Sequence, residues 1–339
     1  MALVSPERTT VNAEGAVVRQ IPRMIAFGPV PSRRLGRSLG INNIPPKVCT
    51  YSCVYCQLGR TKRMQVERRA FYEPDEILRA VRDKVERARK SGESIDYLTF
   101  VPDGEPTLDA NLGREIELLA PLGIKIAVIS NASLVWREDV RDDLAKADWI
   151  SLKVDSTSEQ VWRRTDRSHG TLQLSSILNG MLEFARAYGG ELVTETMLVE
   201  SVNDSVHQVR EVADLLAVLK PAGAYLSIPT RPPAEEWVRA PCEETINRAY
   251  QLLSERVGHV ELLIGYEGNA FAFTGDVKED LLSITAVHPM REEAVNQFLA
   301  RAGADWHAVR RLIDQGILVE TEYEGYKFYV RKLHATPKR

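Results

Sequence analysis

The sequence predicts an α/β protein with a parallel sheet, followed by a small second domain. From about Leu39 to Ile228, short apolar segments of strand length alternate with longer segments in which apolar residues recur at helical spacing. This alternation is typical of parallel sheets with crossover helices. From about Lys278 the order changes to two short helices and a hairpin, which indicates a separate small unit.

Six strand–helix units are predicted in the first part. The first crossover helix carries the clearest signals, because Pro74 stands where it should start and Gly92 follows its end. Its apolar positions are Ile77, Leu78, Val81, Val85 and Ala88. The predicted strands are one that ends near Leu39, Gly40 and Ile41, and the segments 97–101, 125–129, 149–154, 191–199 and 224–228.

Three regions follow along the chain: an irregular leader over 1–24, the α/β unit over 25–277, and the small domain over 278–339. In the last region, helices are predicted over 291–300 and 305–315, and strands over 317–323 and 326–331 around a Glu324-Gly325 turn. This order resembles a winged helix. The proline-rich stretch 229–241 is predicted to be a loop.

The charge balance argues against general binding to nucleic acid or membranes. Among 339 residues, 44 Lys and Arg face 47 Asp and Glu, for a formal net charge of −3. Any nucleic-acid partner would therefore need a local basic face. The first 15 residues contain no apolar run of signal-peptide length, and no stretch approaches the ~20 apolar residues that span a bilayer. We therefore expect a cytoplasmic protein without a membrane partner.

Three of the four cysteines lie within eight positions, and this spacing predicts a metal site. Cys49, Cys53 and Cys56 on one loop can converge on an iron–sulfur cluster. A fourth iron would lack a protein ligand, so it can chelate the amino and carboxylate groups of S-adenosylmethionine (SAM). The alternative is structural zinc, which needs four ligands, and the only other thiol is the distant Cys242.

This signature closely resembles that of the radical SAM superfamily. Tyr55 stands where the family usually has an aromatic residue beside the SAM adenine. The resemblance covers about residues 27–229 and implies a partial (β/α)6 TIM-like barrel with the cluster loop after the first strand. It further implies a [4Fe–4S] cluster, a low-potential electron donor such as flavodoxin or ferredoxin, and reductive cleavage of SAM to a 5′-deoxyadenosyl radical.

The resemblance also implies a SAM cradle after the second predicted strand. There, Gly104, Glu105 and Pro106 look like the family's Gly-Gly-Glu motif, with Asp103 in place of its first glycine. The backbone groups of the motif and Glu105 would face the SAM ammonium.

Alternation along the fourth predicted strand puts Ser151, Lys153 and Asp155 on one face. By resemblance, Ser151 suits a ribose hydroxyl of SAM and Lys153 suits its carboxylate. An unpartnered lysine inside a barrel is costly, which favours an anionic ligand. Alternatively, Asp155 neutralises Lys153 or contacts the substrate. Asn131 and Glu195 are expected to line the same site.

Three segments, 27–40, 104–108 and 131–136, resemble one subgroup, the wyosine-forming enzymes that modify a guanine-derived base in tRNA. Those relatives carry extra cysteines for a second cluster, whereas here only Cys242 remains. Arg33, Arg34 and Arg37 precede the cluster strand and suit phosphate, whether of RNA or of a small substrate. The alternative is that these arginines bind carboxylates of the protein itself.

Three functional hypotheses follow. The first is a radical SAM enzyme that modifies tRNA or another nucleobase-containing substrate. The second is a radical SAM enzyme that acts on a peptide or protein held by the winged helix. The third is a non-catalytic iron–sulfur regulator that binds DNA.

Overall fold

The computed structural model describes residues 9–11, 17–19, 25–265, 269, 271–287 and 289–332. Most of the predicted leader, 1–24, lies outside the described residues. Its described part consists of two three-residue strands, Thr9–Val11 and Val17–Arg19, which pair antiparallel. These residues are therefore extended and paired, not irregular.

Eight strands form one sheet. They are β1 (Ala26–Ser32), β2 (Gly36–Ile41), β3 (Tyr97–Phe100), β4 (Lys125–Ser130), β5 (Trp149–Lys153), β6 (Glu191–Met197), β7 (Gly223–Ser227) and β8 (Val260–Leu263). Each strand lies beside the next one along the chain. Strands β2 to β8 run parallel, and β1 pairs antiparallel with β2. Within the described residues β1 and β8 do not pair with each other, so the curled sheet is a partial barrel.

The predicted partial barrel is confirmed, and its six predicted strands correspond to β2–β7. The sequence did not predict β1 or β8. Strand β1 contains Gly28, Pro29 and Pro31, and its pairing with β2 shifts register between Phe27 and Val30. Proline is confined to edge strands and bulges, so β1 can form only at the edge where it lies.

The helices that connect the strands pack on the outer face of the sheet. They are α1 (Pro74–Lys90), α2 (Leu112–Leu119), α3 (Glu138–Leu144), α4 (Glu159–Asp166), α5 (Leu174–Ala187), α6 (Val206–Leu219) and α7 (Glu243–Ser254). Leu98, Ile126 and Ile150 on the strands belong to the same large apolar cluster as Ile77 and Val81 of α1. This shared cluster is the main hydrophobic core of the protein.

The inner face of the sheet carries a smaller apolar cluster. Its buried members are Leu35, Ala127, Trp149, Val193, Tyr225 and Leu263. On β4–β7 these residues lie toward the N-terminal ends of the strands, so they fill that end of the barrel. The open space is left at the C-terminal strand ends, where barrels of this kind carry their sites.

The C-terminal unit contains three helices, α8 (Val277–Val287), α9 (Glu292–Ala302) and α10 (Trp306–Asp314), and three strands, β9 (Met290–Arg291), β10 (Leu318–Tyr323) and β11 (Tyr326–Arg331). The strands form an antiparallel sheet in the order β9-β11-β10. The two predicted helices and the predicted hairpin are present, whereas α8 and β9 were not predicted. The winged-helix assignment and its boundary at residue 278 stay predictions.

Ion pairs attach this unit to the barrel. Lys84 of α1 is 1% exposed, and its Nζ donates to Asp280 Oδ1 on α8 (2.8 Å) and to Thr274 Oγ1 (3.0 Å). The buried Glu93 accepts hydrogen bonds from Arg37 and from Arg301 of α9. Because buried charges persist only when they are paired, these contacts fix the C-terminal helices against α1.

Candidate active site

A cavity of about 340 Å³ opens at the C-terminal ends of the strands. Its volume falls in the range of small-molecule sites, roughly 300–1,000 Å³. Eleven of the predicted site residues line it: Arg33, Arg34, Cys49, Cys53, Tyr55, Cys56, Gly104, Glu105, Asn131, Lys153 and Glu195. Pro106, Ser151, Asp155 and Arg37 lie outside this lining.

The loop that carries the cysteines is held by buried side chains. Cys49 ends a short strand, and the buried Thr50 follows it. Thr50 Oγ1 accepts hydrogen bonds from Asn131 Nδ2 (2.8 Å) and Ser133 Oγ (2.7 Å). Asn131 Nδ2 also lies 3.5 Å from the Cys49 sulfur. Asn131 therefore orients the first cysteine from the end of β4.

The cysteines fit an iron–sulfur cluster. Burial raises the pKa of Cys49 to about 12 and the pKa of Cys53 well above its usual value. Without metal these thiols keep their protons, and metal binding releases them. No three His, Cys, Asp or Glu side chains in the described part of the chain surround a single-ion site. In a cluster each cysteine binds a different iron, so three thiols at one cavity wall supply suitable donors.

The loop after β3 lies directly against the cysteine loop. Lys47 N donates to Asp103 O (2.7 Å), and Glu105 N donates to Val48 O (3.2 Å). A Cβ at Gly104 would lie 1.8 Å from Val48 O. Glycine is therefore required at position 104 because the two backbones touch there.

Glu105 organises the surroundings of this loop. Its carboxylate is buried and accepts hydrogen bonds from Thr107 N (3.1 Å), Thr107 Oγ1 (2.6 Å), Ser130 Oγ (2.7 Å) and Asn131 N (2.7 Å). These bonds join the turn Pro106–Leu108 to the end of β4. The contact of Glu105 with SAM stays a prediction.

We expect Gly104→Ala to lower the free energy of unfolding by about 2–4 kcal/mol, because the added methyl group overlaps the Val48 carbonyl and forces the two loops apart. Denaturant unfolding measures the change. Gly170→Ala is the matched control, since a Cβ there meets no atom within 4 Å. Equal stabilities of the two variants would contradict the steric argument.

Lys153 has partners within the protein, which corrects the argument that its charge needs an anionic ligand. Its Nζ lies 3.3 Å from Glu195 Oε1 and 4.7 Å from the Tyr55 ring centroid, and the other Glu195 oxygen accepts from Arg34. Burial lowers the pKa of Lys153, but Asp155 and Glu195 raise it above its ordinary value. Burial raises the pKa of Glu195, but Lys153 and Arg34 lower it to about 2. Lys153 and Glu195 are therefore both charged.

Asp155 lies outside the cavity lining, but it holds Tyr55, which lines the cavity. It accepts hydrogen bonds from the Tyr55 hydroxyl and from Met197 N (2.7 Å). The Tyr55 hydroxyl also lies 3.1 Å from Asp166 Oδ1, and the Cys53 sulfur lies 3.3 Å from the same oxygen. Burial raises the pKa of both aspartates. Asp166 was not predicted, because an aspartate at the end of a helix usually faces solvent.

The structure separates the three predicted arginines. Arg33 and Arg34 line the cavity, where Arg33 donates to backbone carbonyls at and after the end of β8 (3.4 and 2.9 Å). Arg37 lies beside α1 and binds Glu93. Since Arg34 binds Glu195 and Arg37 binds Glu93, both have the carboxylate partners that the alternative interpretation expected.

Two further predicted residues lie deeper than expected. Ser151 is buried on the same face of β5 as Lys153, one layer further from the cavity. Pro106 is buried at the start of the turn that Glu105 caps.

The Radical SAM superfamily model matches residues 43–216, about half of the chain. The chain belongs to the radical SAM superfamily. This radical SAM protein is 46% identical over 316 residues to the UPF0026 protein MJ1312 of Methanocaldococcus jannaschii, covering 93% of this chain and 98% of the relative. The protein is thus an enzyme that uses a [4Fe–4S] cluster and SAM, and the zinc and regulator alternatives have no support.

Solved structures agree with the superfamily fold. A radical SAM methyltransferase from Sphaerobacter thermophilus matches with a TM-score of 0.52 at 19% identity, over 67% of this chain and 66% of that chain. A structure of TYW1 with a lysine-pyruvate adduct bound matches with a TM-score of 0.49 at 18% identity, over 65% and 74%. None of the described helices of this radical SAM enzyme is long and apolar enough to cross a bilayer.

Proposed function

We propose that this radical SAM enzyme modifies RNA, such as tRNA, or another nucleobase-containing substrate. In this proposal Cys49, Cys53 and Cys56 would hold the [4Fe–4S] cluster, and the cavity that they line would take SAM. A low-potential donor such as flavodoxin or ferredoxin reduces the enzyme. A cluster held there would supply the electron for the reductive cleavage of SAM.

The residues around the cavity bind and orient the reactants. Gly104 lets the loop after β3 approach the cysteine loop, so its backbone groups can reach the amino-acid end of SAM. Tyr55, fixed through its hydroxyl, presents its ring to the adenine. Lys153 lies between that ring and Glu195, where its ammonium can still reach a SAM oxygen without losing its partner.

Exposed cations beside the cysteine loop are the observation that carries the RNA proposal. The short strand Arg63–Met64 pairs with the strand that ends at Cys49, and Lys62 and Arg63 are exposed there. Trp237, 47% exposed, lies on the loop that follows β7. Cations for phosphates and an aromatic face for bases are features of single-stranded RNA binding. In a chain of net charge −3, RNA binding requires local cations of this kind.

The test is anaerobic reconstitution with iron and sulfide, followed by dithionite and SAM. We expect 5′-deoxyadenosine to form slowly alone and faster with bulk tRNA, with the RNA effect weakening as salt rises. If peptides accelerate it and RNA does not at low salt, the RNA substrate is excluded while the radical SAM chemistry stands.

A second candidate substrate is a polypeptide held by the C-terminal unit. One observation favours it: Tyr323 at the end of β10 donates its hydroxyl to Pro229 O (3.3 Å), and Pro229 lines the cavity. The hairpin therefore reaches the cavity rim. In the same assay, acceleration by peptides and loss of that acceleration in Tyr323→Phe would support this candidate.

A further inference from the structure

The proline-rich loop 229–241 packs onto the cysteine loop. Val238 and Val54 are both fully buried, and they share one apolar cluster with Val199 and Val202. Val54 stands between Cys53 and Tyr55 in the sequence. The proline-rich loop thus covers the middle of the cysteine loop, although its sequence alone indicates no function.

The backbone of Val54 is held from two sides. Its N–H donates to Thr165 O (2.9 Å) at the end of α4, and its carbonyl accepts from Glu235 N (3.1 Å) in the proline-rich loop. Both peptide groups of Val54, the residue that follows Cys53, are therefore tied to segments far away in sequence. A shift of either segment would move this cysteine.

The Glu235 side chain links the proline-rich loop to the cysteine loop and to the residue that follows α4. Its two oxygens accept from Arg60 Nε (2.7 Å) and Arg60 Nη2 (3.0 Å), and Oε1 also accepts from Arg167. Arg60 follows Cys56 in the cysteine loop, and Arg167 follows α4. The Glu235 side chain is only 8% exposed, whereas that of Arg60 is 69% exposed. These two arginines lower the pKa of Glu235 to about 2, so it is ionised at neutral pH.

We infer that Glu235 is a positioning residue that clamps the segment 53–60, and with it Cys53 and Cys56, between the proline-rich loop and the end of α4. The bidentate pair with Arg60 fixes direction as well as distance. Glu235 is outside the cavity lining, so it acts through the cysteine loop and not on SAM. This inference rests on the proposal that these cysteines hold the cluster.

The test compares Glu235→Gln with Glu236→Gln, its exposed neighbour. In the protein without cluster, we expect amide hydrogen exchange over 52–60 to be roughly 10- to 100-fold faster in Glu235→Gln, because a charged hydrogen-bond pair is lost. After reconstitution, the same variant should lose its cluster absorbance in air several-fold faster. Glu236→Gln should match the parent in both measurements.

A second variant guards against misfolding. Arg60→Gln changes an exposed side chain on the other side of the pair, and it should speed exchange over 52–60 as well. The double variant should exchange no faster than Glu235→Gln, because that single change already removes the Arg60 pair together with the Arg167 pair. Unchanged exchange over 52–60 in Glu235→Gln, or additive effects in the double variant, would overturn the clamp. Faster exchange over 52–60 with an unchanged rate of cluster loss would also overturn the inference, because Glu235 would then hold the loop without positioning the cluster ligands.

Discussion

Cys53→Ala is expected to abolish SAM cleavage, lowering 5′-deoxyadenosine formation more than about 100-fold, because even the loss of partners behind a metal ligand costs 10- to 100-fold. The Cys53 sulfur lies in the cavity wall beside Tyr55 and Asp166. In the proposed site, removing this sulfur would leave one iron without a protein ligand, so the iron and sulfide content of the reconstituted protein should fall as well. Chromatography of the nucleoside and chemical iron analysis measure the two effects.

Cys242→Ala is the matched control. Cys242 is exposed at the start of α7, outside the cavity lining, and its sulfur contacts Thr245 Oγ1 at 3.3 Å. This variant should keep the cleavage rate and the iron content of the parent. If Cys242→Ala lost iron as Cys53→Ala does, the assignment of the three clustered cysteines as the cluster ligands would be wrong.

Glu115→Gln is expected to stabilise the protein by about 2–5 kcal/mol at pH 8 and much less at pH 5. Glu115 of α2 is fully buried, and neither carboxylate oxygen has a hydrogen-bond partner among the described residues. Burial, and then the nearby Asp109, raise its pKa to about 9. Asn43 Oδ1 and Asp109 Oδ2 are also buried without a hydrogen-bond partner among the described residues.

The pH dependence follows from the direction of this shift. The folded state keeps a proton on Glu115 that the unfolded state releases above about pH 4.3. Stability is therefore lost as pH rises from that value toward about 9, and glutamine removes this loss. Denaturant unfolding at pH 5 and pH 8 measures the difference. Glu117→Gln, an exposed position on the same helix that pairs with Lys146, should not stabilise; an equal gain there would contradict a buried-acid origin.

The sequence predicts those parts of the site that are local in the chain. The three cysteines, Tyr55 and the 104–106 motif lie on two short loops, and each loop follows a strand with a clear apolar pattern. Parallel strands place their C-terminal ends at one edge, so the two loops meet without further information. The parallel sheet follows from the same alternation, whereas the partial barrel was implied by the resemblance to the radical SAM superfamily.

Partners from distant segments could not be predicted in the same way. Lys153 and Glu195 were both expected to line the site, yet their ion pair depends on the register that places them opposite each other on β5 and β6. One sequence does not reveal that register. Arg34 and Arg37 are close in sequence, but the chain turns at Gly36, where φ is 63°. As a result Arg34 binds Glu195 and Arg37 binds Glu93.

The buried Lys84–Asp280 pair decides how the last part of the chain can be studied. Cutting the chain before α8 would remove the carboxylate partner of a lysine on α1 that is 1% exposed in the intact chain, and breaking a buried ion pair from one side is destabilising. A shortened protein that fails would then report a damaged barrel and say nothing about what the C-terminal unit recognises. The function of the C-terminal unit therefore has to be tested in the intact enzyme, by changing single side chains on the surface of the β10–β11 hairpin.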